Sequence, residues 1–105
     1  MKKLIVTDDP IKGKRVHVPV DKQFEDILVS AVRYAIGRYT YSAPNTILFI
    51  APLVPYLSDN AIVVLSRDIQ RELEMAERLR LKMPYYNEWK MLKEDIDKEA
   101  GNRHG

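Results

Sequence analysis

Ser58-Asp59-Asn60-Ala61-Ile62-Val63-Val64-Leu65-Ser66-Arg67-Asp68-Ile69-Gln70-Arg71-Glu72-Leu73-Glu74-Met75-Ala76-Glu77-Arg78 is the stretch whose reading decides the fold. Ile62, Leu65, Ile69, Leu73 and Ala76 recur at spacings of three and four. A helix gathers those positions on one side, whereas a strand would scatter them over both faces. Ser58 can accept from a free backbone N–H at the helix start, and Asp59 complements the positive end of the dipole. The opposite face carries Arg67, Asp68, Arg71, Glu72, Glu74 and Arg78. Glu74 precedes Arg78 by four residues, the favourable order for a helical ion pair worth ~0.3 kcal/mol. Pro84 sets the latest end, so the reading predicts a helix over 59–82.

On the N-terminal side, residues 39–58 carry no charge. The span would suit a membrane helix in length, but Pro44, Pro52 and Pro55 interrupt it, and Thr40, Ser42, Asn45 and Thr46 are polar. A buried helix over 46–57, with a kink near Ala51 imposed by Pro52, is the better reading, and no membrane span is expected. Further upstream, Ile27, Leu28, Ala31, Val32, Ala35, Ile36 and Tyr39 form the stripe of a helix over 24–39 capped by Asp21. On the C-terminal side, Trp89, Leu92 and Ile96 mark a last helix over 88–100, capped by Asn87 and closed by Gly101. Residues 101–105 are expected to fray. Ile50, Ile62, Leu65 and Ile69 are the expected centre of the core.

The first twenty residues differ in kind. Lys3-Leu4-Ile5-Val6-Thr7 is rich in β-branched side chains, and Val16, Val18 and Val20 alternate with Arg15, His17 and Pro19. That alternation has the period of a half-buried strand, and Asp8-Asp9-Pro10-Ile11-Lys12-Gly13 has turn chemistry. The sequence therefore predicts an α+β fold, mostly α-helical: an N-terminal β-hairpin over 1–20, a helical part over 21–100 and a short tail, all in one domain.

Composition narrows the function. The chain has 105 residues, 46% hydrophobic and 30% charged, with no cysteine and a net charge of +2. Disulfides and thiolate metal sites are excluded. The opening Met1-Lys2-Lys3 is followed by only three apolar residues, too few for an export signal of about 7–15. No GxSxG, HExxH, GxxxxGK[ST] or GxGxxG motif occurs. Asp8, Asp9, His17 and Asp21 could ligate a divalent ion, but adjacent aspartates before Pro10 are ordinary turn residues. The residues therefore point to no catalytic site, no metal and no cofactor.

Residues 1–38 hold eight Lys and Arg against five acids, while residues 59–105 hold nine against ten. The basic excess sits on the hairpin and first helix. Tyrosine and arginine, residue types enriched in interface hot spots, alternate at the end of that helix. Lys12, Lys14 and Arg15 at the hairpin tip, with Arg33, Tyr34, Arg38 and Tyr41, form the expected surface for a protein partner. A nucleic acid is disfavoured because Asp8, Asp9 and Asp21 lie close by and the helix over 59–82 opens with Asp59. A homodimer through the hairpin edge is a further reading.

The run Ala31-Val32-Arg33-Tyr34-Ala35-Ile36-Gly37-Arg38-Tyr39-Thr40-Tyr41, with Leu57-Ser58-Asp59-Asn60, Arg67-Asp68-Ile69 and the acidic helix around Trp89, resembles a family of small proteins encoded by phages and prophages of Firmicutes. The resemblance covers roughly residues 24–98 and omits the hairpin. It implies a viral accessory protein of the host cytoplasm, non-enzymatic, that binds and inhibits a host protein such as a CRISPR–Cas effector or another defence component. It assigns no functional residue. A small DNA-binding regulator and a structural homodimer are the alternatives.

Overall fold

The computed structural model describes residues 3–8, 15–37 and 42–104. Four α-helices carry the body: α1 (Lys22–Ala35), α2 (Ser42–Ile50), α3 (Asp59–Arg78) and α4 (Tyr86–His104). A 3-10 segment, Ala51–Tyr56, continues α2. Over residues 21–104 the described chain is 85% helical and contains no strand.

The α+β expectation is therefore corrected to an all-α class, with no N-terminal β-hairpin as a layer of the fold. A fold class is set by the layers that share a core. Here Leu28, Val32, Ile50, Leu53, Leu65, Ile69, Trp89 and Ile96 meet in one buried cluster supplied by the helices and the 3-10 segment. The N-terminal segments Lys3–Asp8 and Arg15–Val20 run antiparallel to each other, Ile5 opposite Val18. Two strands make no sheet that stands on its own. The alternation of valines reports an extended backbone, but the core forms where the amphipathic helices meet.

Each helix boundary has a local cause. Asp21 accepts from the Phe24 backbone N–H at 2.9 Å and starts α1. The helix ends at Ala35 rather than near residue 39, because Gly37 adopts φ +81, a left-handed conformation that glycine enters freely. Pro52 lies in the first turn of the 3-10 segment, and the change from α to 3-10 geometry falls at Ala51. This segment is not apolar on a wholly buried circumference: Leu48 is exposed while Ile50, Leu53, Val54 and Leu57 are buried.

Ser58 Oγ accepts from the Ala61 backbone N–H at 3.2 Å and caps α3. That helix stops at Arg78, four residues before Lys82. Arg80 takes φ +54, the Leu81 N–H bonds back to the Ala76 carbonyl at 2.9 Å, and the Arg80 N–H to that of Glu77 at 3.3 Å. This pair of bonds is a Schellman closure with arginine at the position glycine usually takes. α4 starts at Tyr86 and passes through Gly101 to His104, so residues 101–104 are helical rather than frayed.

Side chains join α3 and α4 in reverse order along the two helices. Asp59 pairs with Arg103, Ser66 with Asp97, and Glu77 with Tyr86. The two helices are therefore antiparallel. Ile50, Ile62, Leu65 and Ile69 are all buried, the most exposed of them at 2%. Among the described residues no helix is long and apolar enough to cross a membrane.

Candidate protein-binding surface

Glu25 sets the relation between α1 and α3. Its carboxylate accepts from the Ser58 backbone N–H at 2.6 Å and from the Ser58 hydroxyl at 2.7 Å. The same hydroxyl caps α3, so one serine ties the start of that helix to the first turn of α1. Eight residues on from Glu25, or about 12 Å of helix rise, comes Arg33. Ten residues on from Ser58 comes Asp68, and there the two helices meet again.

Arg33 Nε donates to Asp68 Oδ2 at 2.8 Å, and Arg71 Nη2 donates to Oδ1 at 3.3 Å. The Asp68 side chain is 4% exposed, against 55% for Arg33 and 60% for Arg71. A buried carboxylate is costly unless paired, and here each oxygen has its own guanidinium. Each arginine uses one nitrogen in this way and retains further N–H groups, since guanidinium carries five. The arrangement therefore fixes two cationic heads at the surface and leaves both able to donate outward.

Tyr34, next in sequence to Arg33, is 59% exposed. On the other flank, an open groove of about 540 Å³ runs between α1 and the start of α3, lined by Val29, Arg33, Tyr56, Asn60 and Val64 among others. Asp21, Glu25 and Asp26 line the same groove, so the surface combines fixed arginines and accessible tyrosines with a floor of mixed polar and apolar character.

Of the residues expected to bind a partner, Arg33 and Tyr34 occupy consecutive positions here. Arg15 opens the second extended segment, opposite Asp8. Lys12, Lys14, Arg38 and Tyr41 lie outside the described residues, as does Asp9 of the candidate metal set. Among the described residues no group of three His, Cys, Asp or Glu could hold a metal ion.

Sequence reasoning missed Asp68 and Arg71 as parts of this surface and set both on the solvated face of α3. Asp68 adjoins Ile69 and follows Leu65 by three, which places it at the margin of the apolar stripe. That was the available signal. The expected Glu74–Arg78 pair is replaced: Glu74 accepts from Gln70 instead.

Away from this surface the titrating groups serve the α3–α4 seam. Desolvation pushes the Asp97 carboxyl up, but hydrogen bonds from Lys93 and Ser66 outweigh it and hold the group below its ordinary value. The hydrogen bond to Glu77 raises the Tyr86 phenol. Arg103 is raised chiefly by its hydrogen bond to Glu99. No family model matches the chain, and neither does any curated protein or solved structure.

Proposed function

We propose that this protein acts without catalysis, by binding another protein through the face shared by α1 and α3. One observation carries the reading: Arg33 is held by buried Asp68 while its side chain remains more than half exposed beside an exposed Tyr34. Arginine and tyrosine dominate binding energy where they are desolvated by a partner. A side chain already fixed in the free protein loses less rotational freedom on binding, about 0.5–1.5 kcal/mol per immobilised side chain. The resemblance read from the sequence narrows the target: a host defence protein, such as a CRISPR–Cas effector, inhibited by a phage accessory protein in the host cytoplasm.

The test is a photo-crosslinking amino acid placed at position 34, with a control at position 94 on α4. In host lysate the first should capture a discrete heterologous protein and the second should not. Capture of a second copy of the chain would favour the homodimer, and crosslinking only to nucleic acid would favour a regulator. Either result would overturn the reading.

A further inference from the structure

A stripe of arginine runs along the outward face of α3. Arg67, Arg71 and Arg78 are separated by four and seven residues, spacings that return to one face of a 3.6-residue helix. All three are exposed. Arg71 is held by Asp68, while Arg67 and Arg78 have no carboxylate partner among the described residues. From α1, Arg33 adds a fourth guanidinium at the other oxygen of Asp68. Two acids share this face with the four arginines: Asp68, buried and held by Arg33 and Arg71, and Glu74, exposed, three residues after Arg71 and four before Arg78. Four guanidiniums against two carboxylates leave a net positive charge spread over about 16 Å of helix rise.

We propose that this stripe docks the carboxylates of an acidic, partly apolar face on the partner protein. This inference rests on the protein-binding reading above and names the chemistry of what is bound. Guanidinium donates in a fixed fork that matches a carboxylate, and a row of such forks selects acids rather than amides. Phosphate would satisfy the same forks, but two features favour a protein. Glu72 and Glu74 lie on α3 between Arg71 and Arg78 and repel any anion set opposite them, so the bound acids must be spaced to meet the arginines alone, which a protein face allows and the regular phosphate row of a nucleic acid does not. Met75, 37% exposed, lies on the same stretch of the helix and offers apolar contact that a phosphate row cannot use.

The experiment uses the full chain and two synthetic helical peptides. One carries glutamate at positions repeating every three and four residues beside leucines, and the other has glutamine at those positions. A DNA duplex of about 20 base pairs is the third probe, all at about 150 mM salt to screen loose attraction. The arginine Nε–Hε resonances are followed by NMR, and affinities by titration. The glutamate peptide should shift the resonances of Arg33, Arg67, Arg71 and Arg78, and the glutamine peptide should not. Arg67→Gln with Arg78→Gln, at sites that support no other described side chain, should weaken glutamate-peptide binding about tenfold. Equal binding of the two peptides, or no binding of either, would overturn the proposal. Tighter arginine-dependent binding of the duplex would also overturn it, in favour of phosphate. If the double variant still crosslinks the partner from position 34 at the wild-type yield, the stripe is dismissed while the protein-binding reading stands.

Discussion

Arg33 and Asp68, thirty-five residues apart in sequence, meet at 2.8 Å between α1 and α3. One is more than half exposed and the other is almost fully buried. The pair therefore belongs to both the interior and the surface. Removing either partner should affect stability, and the exposed part of Arg33 is the part we propose for binding.

Arg33→Met removes one donor and leaves Asp68 to Arg71 alone. A loss of about 1–3 kcal/mol in denaturant unfolding is expected, the cost of a weakened bond to a buried charge. Arg33→Met combined with Asp68→Leu should be less destabilised than the two single changes added together, because the unpaired buried charge is gone. Additive losses would mean that the pair carries no coupling.

Leu65 is 1% exposed on the apolar stripe of α3. Leu65→Ala should cost on the order of 2–5 kcal/mol, read as a fall in the urea midpoint. Trp89 is fully buried and its indole N–H has no acceptor among the described residues. Trp89→Phe should cost far less than Trp89→Ala, because the lost ring volume is offset by removal of an unsatisfied donor. A near-equal loss in the two variants would contradict that.

Arg103 joins α4 to the start of α3 and to the 3-10 segment. It contacts Glu99 at 2.8 Å, Asp59 at 2.9 Å and the Pro55 carbonyl at 3.3 Å. Arg103→Ala should release the last turn of α4 while leaving the core intact. Amide exchange would then quicken over residues 99–104 and remain unchanged in α3 beyond its first turn.

Asp97 supplies the pH dependence. Its carboxyl is held below the ordinary value, so the stability it contributes is present above the unfolded pKa near 4 and is lost as pH falls through the lower folded value. Thermal unfolding followed from neutral pH to about pH 3 should show a steeper acid loss for the wild type than for Asp97→Asn. Parallel curves would show that the Lys93 and Ser66 bonds contribute nothing to the linkage.

What could be read from the sequence depended on distance along the chain. The cap at Ser58 and the stripe from Ile62 to Ala76 are local patterns, and the sequence alone placed them. Pro52 likewise marked the break at Ala51. The ends of α1 and α3 were harder, because the left-handed turns at Gly37 and Arg80 stop helices whose apolar period runs on. Arg80 gave no warning, since arginine seldom takes that conformation. The α+β reading failed because alternating valines report only a backbone preference, whereas the described core is built by the helices and the 3-10 segment. Arg33 and Tyr34 were found as residue types, but the Asp68 contact that orients Arg33 has no signature in a single sequence. Arg103 was assigned to a fraying tail although Glu99, four residues before it, was a local signal; its contacts to Asp59 and Pro55, more than forty residues away, were not legible.

The central claim, that the α1–α3 face engages a protein partner, is tested most directly by amide hydrogen exchange. The chain is measured alone and saturated with the protein captured from position 34. Protection is predicted over residues 28–37 of α1 and residues 60–78 of α3, with the outer positions of α4 around Glu94 and Asp95 unchanged. Protection confined to α4, with α1 and α3 exchanging as in the free chain, would contradict the account.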